Sequence, residues 1–269
     1  MTYTGYLQLE ASERYGKSVL SDAYYNGVFK ISRPTYTEEG LPLVQLIHVG
    51  GGYVDGDTYF TQIHVRKNAT LAVTTQASTK VYKTLNKQVE QKSVYKLDEQ
   101  SQLHMKLDPL IAYRDARFIQ KTDVYMDKSA VLFLTDIVTP GWSKDGELFP
   151  YTCVTSKVKI YQNEKLAVYD HLRLKPKDDV RKLLQLEGNT HIGSLFFIHP
   201  NVSEEWIEKL REELSSFSEA HYGVSILPIP GCCFRILAKR TSVIEKIFAA
   251  IETFIHRTIY NRSAISWRK

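Results

Sequence analysis

Residues 50–82, GGGYVDGDTYFTQIHVRKNATLAVTTQASTKVY, join a glycine-rich turn to an alternating strand and then to a second, polar strand. Three successive glycines, Gly50, Gly51 and Gly52, admit positive φ and close backbone approach, which suits a tight turn or a surface pressed by a partner. Gly56 and Asp57 close the same turn. The order GGGYVDGD holds neither a GxGxxG turn leading into a helix nor a GxxxxGKS/T phosphate loop, and the residues after it alternate like a strand, so a nucleotide site is set aside. Over residues 58–65, Tyr59, Thr61, Ile63 and Val65 fall on one face and Phe60, Gln62 and His64 on the other, the pattern of a half-buried strand.

Working outward, short segments rich in Val, Thr, Tyr and Ile recur at intervals of about 8 to 12 residues between Gly, Asn, Asp and Lys turns. Strands are expected at 5–11, 28–32, 44–49, 58–65, 71–75, 79–83, 89–97, 103–107, 117–124, 131–138, 152–161 and 166–174. The first two-thirds therefore reads as all-β. Closing the edges of so many strands calls for a sandwich, a barrel or a solenoid, and periodicity alone does not choose among them. No strict repeat of fixed length is visible.

After about residue 175 the character changes. Pro176, Lys177, Asp178 and Asp179 form a polar boundary, dividing a β-rich part (1–175) from a C-terminal α/β element (176–269), or marking a step within one continuous domain. Ser203 is placed to cap a helix with Glu204 and Glu205 in its first turn and Ile207, Leu210, Leu214 and Phe217 as its buried stripe. Ser242 and Glu245 read as a capping box for a second helix with Ile244, Ile247, Phe248, Ile251, Phe254 and Ile255 at helical spacing. These stripes are core or partner surface before they are chemistry. Residues 231–238 between them read as a strand.

At 269 residues and 43% hydrophobic, the chain buries a sizeable core and is not disordered. Its formal charge of +5 comes from 35 basic and 30 acidic residues spread without a long run of like charge, which gives little support to nucleic-acid binding. The N-terminal MTYTGYLQLE lacks the pattern of a signal peptide, and no stretch approaches the roughly 18 apolar residues of a membrane span. The expectation is a soluble, cytoplasmic protein. Cys153, Cys232 and Cys233 make an odd count with two adjacent, which builds no disulfide framework and fits a reducing compartment.

Chemical motifs are sparse. No HExxH, GxSxG, calcium-binding loop or paired CxxC occurs, and the eight histidines are scattered singly. Adjacent Cys232 and Cys233 point to opposite strand faces with no nearby ligand to complete a four-ligand set. Thr74, Thr75, Gln76, Ser78, Thr79 and Lys80 give consecutive strands an unusual density of hydrogen-bonding groups, read either as an exposed polar strand or as an inner or docking surface. Asp136 and Glu147 flank the turn 140–146, where hard ligands would meet in space or simply be solvated.

Residues 50–82 resemble the signature of the urease accessory protein UreD (UreH) family, and the likeness extends along the chain. Residues 24–36, YYNGVFKISRPTY, are similar to the family's N-terminal pattern of a short strand ending in Arg-Pro and an aromatic. Residues 108–120, DPLIAYRDARFIQ, and residues 136–149, ending in Gly-Glu-x-Phe, resemble later family segments, and Arg257 and Trp267 fall where the family tends to place an Arg and a Trp. Asp55, where Gly is common, and the turn 142–145, less basic than is usual, depart locally from the pattern.

The resemblance implies a mainly β fold, a β-helix-like stack of strands with a small C-terminal α/β element of about two helices. It implies a non-enzymatic urease maturation factor that docks on the urease apoprotein, binds UreF directly and the GTPase UreG through UreF, and holds no tight cofactor while nickel passes in transit through an internal channel. On that reading Gly50, Gly51, Gly52, Gly56 and Asp57 shape a partner-facing turn, and Thr74, Thr75, Gln76, Lys80 and Tyr82 form a polar inner or docking surface. Asp57, Asp136 and Glu147 are the carboxylates expected along the nickel path, and the apolar face 244–255 packs on the β domain or on UreF. A glycan-active β-solenoid enzyme and a basic nucleic-acid-binding β protein are the alternatives; the first needs carboxylates converging on a groove, the second a steep salt dependence.

Overall fold

The computed structural model describes residues 3–37, 40–178 and 186–267. Asp179 of the expected boundary lies outside them. The chain opens with an antiparallel hairpin of β1 (Gly5–Arg14) and β2 (Lys17–Gly27), and β3 (Phe29–Ile31) and β4 (Thr35–Tyr36) both pair with β5 (Pro42–His48). It then winds into coils. β6 (Thr58–Val65), β7 (Thr70–Thr75) and β8 (Thr79–Val81) make the first, and β9 (Val89–Leu97), β10 (Gln102–Lys106) and β11 (Leu110–Ala112) the second. β12 (Arg117–Met126) and β13 (Val131–Val138) make a third, and β14 (Cys153–Gln162) opens a fourth before turning back as β15 (Lys165–Leu174).

Equivalent strands of successive coils stack in parallel: β6 on β9, β9 on β12 and β12 on β14 in one sheet, β7 on β10 and β10 on β13 in the other. Among the described residues this gives a 7-stranded sheet ordered β15-β14-β12-β9-β6-β1-β2, facing a second sheet built around β13, β10, β7 and β5. The fold is thus the strand stack that the family resemblance implied. Thr70 lies beside Gln102 and Gln102 beside Val131, whereas Arg117 lies beside Cys153. Successive coils consume unequal numbers of residues, which is why no fixed repeat shows in the sequence.

Period-2 alternation sets which side chains meet between the sheets. Leu7, Leu9, Ile63, Val65 and Phe118 from the first sheet pack with Val44, Leu71, Val73, Leu103, Met105 and Leu134 from the second. Burying each such side chain contributes roughly 1.5–3 kcal/mol. Tyr59, Thr61, Ile63 and Val65 are the buried members of β6, as the alternation requires.

The C-terminal segment extends the second sheet. β16 (His191–Ile198) runs antiparallel to β13, and β18 (Gly231–Ala238) pairs with β16 on one side and with β17 (Ala220–Ile226) on the other. Helices α1 (Glu204–Leu214) and α2 (Thr241–Ile255) cover the outer face of these strands, with Ile207, Leu210, Ile244, Ile247, Phe248 and Ile251 buried against Phe133, Leu195, Phe197 and Phe234. Gly193 lets α2 sit close, because a Cβ there would lie 2.4 Å from Ile244 Cγ2.

Ser203 caps α1 as expected, its hydroxyl accepting from the Trp206 amide at 3.2 Å. Phe217 lies beyond the end of α1, yet packs against the same core. The capping box expected from Ser242 and Glu245 is not formed: α2 begins at Thr241 and Arg240 occupies the N-cap position without a side-chain bond. The strongly apolar stripe, rather than a cap, sets where this helix lies. Its last turn widens into a π turn at His256–Tyr260, after which Ile265 and Trp267 bring the tail back over Leu41, Leu43 and Ala72.

Candidate functional site

The two ends of residues 50–82 meet in space. The Tyr53 amide donates to the Lys80 carbonyl at 2.8 Å, the Tyr82 amide to the Tyr53 carbonyl at 2.9 Å, and the Tyr82 hydroxyl to the Gly51 carbonyl at 3.2 Å. Gly52 has φ +152°, and a Cβ there would stand 2.7 Å from the Tyr82 ring and 2.8 Å from the Lys80 carbonyl oxygen. Of the three glycines, Gly52 is the one this close backbone approach requires. Asp57 braces the turn from below: one carboxylate oxygen accepts from the Val54 amide at 2.7 Å and the Tyr59 hydroxyl at 2.6 Å, the other from Thr4 Oγ1 at 3.1 Å. The Gly56 amide donates to the Lys87 carbonyl, and the Asp55 carboxylate accepts from the Asn86 and Lys87 amides, so Asp55 anchors the adjacent loop.

Behind this turn a cavity of about 220 Å³ opens between the sheets. Gly51, Gly52, His48, Gln76, Ser78 and Lys80 line its mouth; Thr61, Thr75, Gln91, Ser93, Gln120 and Asp136 line its depth. A constriction of about 20 Å³, room for about one water-sized body, continues past Asp136 to Thr122, Ser156, Asp170 and Ser194. Gln91, Ser93, Tyr95, Leu107, Gln120 and Asp136 line both spaces. The result is a line of hydrogen-bonding groups running through a solenoid interior that is otherwise apolar.

Asp136 is the carboxyl group at the centre of that line. Gln120 Nε2 donates to Asp136 Oδ2 at 2.6 Å and Ser156 Oγ to the same oxygen at 3.2 Å. Burial raises the Asp136 pKa, and the Ser156 and Gln120 bonds and the charge of Arg235 only partly oppose it. At the far end Arg235 Nη2 donates to Asp170 Oδ1 at 2.6 Å and Arg235 also bonds Ser194, so Asp170 carries its own counter-ion. At the mouth, burial lowers the pKa of His48.

The residues singled out by sequence fall in different places. Thr75, Gln76 and Lys80 line the cavity, and Tyr82 flanks it through Gly51. Thr74 points to the opposite face, where its hydroxyl donates to the Lys106 carbonyl at 2.6 Å. Asp136 lies in the cavity, Asp57 under the glycine turn, and Glu147 on an exposed turn where Arg114 Nη1 stands 2.7 Å from its carboxylate. Among the described residues, no group of three or more His, Cys, Asp or Glu is arranged to hold a metal ion. Cys232 and Cys233 face opposite sides and burial pushes both thiols up, to about 12 and about 11.

Gln91, Ser93, Gln120, Ser156, Asp170 and Arg235 were not anticipated. A signal for several was present: Gln91 and Ser93 sit between Val89, Tyr95 and Leu97 on the inward face of β9, and Gln120 between Phe118 and Val124 on that of β12. Polar residues on an inward period-2 face mark a hydrated interior or a bound polar group.

Two facing sheets with a buried polar line between them define a β-solenoid scaffold with a polar-lined internal cavity. The family model described as UreD urease accessory protein matches residues 3–268. The urease accessory protein UreD of Bacillus sp. (strain TB-90) is 44% identical over 100% of both chains, and that of Staphylococcus aureus (strain bovine RF122 / ET3-1) is 37% identical over 99% of this chain and 98% of its own. The chain belongs to the UreD urease accessory protein family, and its role lies in urease maturation. Among the described residues, no helix is long and apolar enough to cross a membrane.

Proposed function

We propose that this chain is a non-enzymatic cytoplasmic chaperone that docks on the urease apoprotein, binds UreF directly and UreG through it, and passes nickel between its two sheets to the urease active site. The observation that carries this reading is the continuous polar lining from the glycine turn past Asp136 to Asp170. A carboxylate without a bonded cation, set among neutral hydroxyl and amide oxygens, is the chemistry of transit: it offers a hard divalent ion replacement ligands in turn, but never a closed set from which release is slow. Burial raises the Asp136 pKa, so on this reading a proton competes with the ion more strongly there than at an exposed carboxylate, which favours release over tight retention.

On this account Asp57 serves the passage by fixing the mouth, while Asp136 contacts the ion. Glu147, held by Arg114 on an outer turn, belongs to a docking surface or an exit. The constriction of about 20 Å³ requires nickel to shed most of its water shell before passing. GTP hydrolysis is left to UreG, in keeping with the missing phosphate loop. The test is reconstitution with urease subunits, UreE, UreF and UreG, with and without this chain. Urease made equally in both samples, but nickel-loaded and active only with the chain, supports the proposal; equal loading in both contradicts it.

A further inference from the structure

Both helices and the C-terminal tail pack on the second sheet, and no described element covers the outer face of the first. Across that face the register aligns one row perpendicular to the strands: Tyr6 beside Phe60, Phe60 beside Lys92, Lys92 beside Lys121, Lys121 beside Lys157, and Lys157 beside His171. Lys92 and Lys121 are exposed and Lys157 is half-buried. Among the described residues, none of the three lysines has an acidic partner within ion-pair distance. Like charges directly opposite on neighbouring strands destabilise a sheet, so this row is unfavourable to the isolated fold. At the low-numbered end, Phe60 stacks with Tyr3 and Tyr6 at centroid distances of 5.4 and 5.5 Å, and Tyr6 meets Tyr24 edge-on at 5.8 Å.

We infer that this face is a docking surface for the acidic face of an α-helix of a partner protein, laid across the strands with an apolar residue on the Tyr6, Phe60 and Tyr24 cluster. The spacing carries the argument. Neighbouring strands are about 4.8 Å apart, so Lys92 to Lys157 spans roughly 10 Å. Carboxylates at i and i+7 of a helix lie about 10.5 Å apart along its axis, with i+3 or i+4 between them. Three acidic side chains on one helix face therefore meet three lysines, and the residue one turn earlier meets Phe60. A phosphate backbone fits less well, because Glu90 and Asp123 stand in the rows on either side of the lysines.

The inference is independent of the nickel passage, which lies on the other face of the same strands. Its test uses the full-length chain and a blocked, labelled Ala-based peptide with Phe at one position and Glu four, seven and eleven residues later. Fluorescence anisotropy should show binding that weakens at least tenfold in the Lys92→Gln, Lys121→Gln, Lys157→Gln variant, and equally when the peptide glutamates become Gln. The same variant should melt no lower than wild type at low salt, since repulsion is removed. Unchanged binding by the variant, a lowered melting midpoint, or tighter binding of a 20-base-pair DNA duplex than of the peptide would each overturn the inference.

Discussion

Lys106 Nζ lies 2.9 Å from Glu252 Oε2, tying β10 to α2 across the outer face of the second sheet, while Trp267 Nε1 donates to the other Glu252 oxygen at 2.5 Å. Glu252 is buried, and burial raises its pKa while the Lys106 charge opposes the rise. Removing one partner leaves the other charge without compensation, which costs about 3–5 kcal/mol for a fully buried pair. Lys106 keeps some exposure, so Lys106→Ala should destabilise by about 2–3 kcal/mol in urea titrations, and the paired Lys106→Met, Glu252→Leu replacement should recover most of the loss.

Gly52 and Gly51 make a contrasting pair. Both have positive φ, at +152° and +79°, but a Cβ on Gly52 collides with Tyr82 and the Lys80 carbonyl, whereas one on Gly51 meets open space. Gly51→Ala should cost about 1 kcal/mol, the backbone penalty alone. Gly52→Ala adds overpacking and should cost about 2–4 kcal/mol, read as a lowered urea midpoint together with loss of nickel loading of urease.

Stability should fall in mild acid. His104 and His199 stand beside Tyr260 at ring distances of 6.5 and 5.6 Å, with His256 6.0 Å from His104 and Arg262 over the Tyr260 ring. Burial lowers His104 to about 3, with His256, Arg262 and His199 adding to the effect, and lowers His199 to about 4. Both folded values lie below the unfolded value of 6.5, so the unfolded chain alone binds these protons as pH drops. Stability is full above about pH 6.5 and declines below it by up to about 1.4 kcal/mol per pH unit for each histidine, until the folded values are reached. Denaturation midpoints at about pH 7.5 and about pH 5.5 should show this, and His104→Phe should flatten the slope.

Asp136→Asn separates stability from transport. The amide keeps an oxygen to accept from Gln120 or Ser156 and removes a buried carboxylate, so the urea midpoint should stay within about 1 kcal/mol of wild type. Nickel per urease active site should fall several-fold in the reconstituted system.

Strands buried on one face, such as β6, were legible because Tyr59, Thr61, Ile63 and Val65 alternate against polar neighbours. β2 escaped because it is an edge strand exposed along most of its length, and β16 because it is buried on both faces, so neither alternates. The coil register was hidden by coils of unequal length. Thr75, Gln76, Lys80 and Asp136 were recognisable as polar groups near a motif, but their convergence depends on which strands stack. Asp170 and Arg235, 65 residues apart, become partners only through the pairing of β14 with β15 and of β16 with β18.

The central claim is that nickel travels between the sheets. Ser93 lines both the cavity and its constriction, and Ser93→Leu fills that point without altering the outer surfaces. The decisive measurement is nickel content per urease active site after reconstitution with this variant, alongside copurification of the variant with UreF and urease. The account predicts an intact complex with nickel reduced at least tenfold; wild-type nickel loading through an intact complex would contradict it.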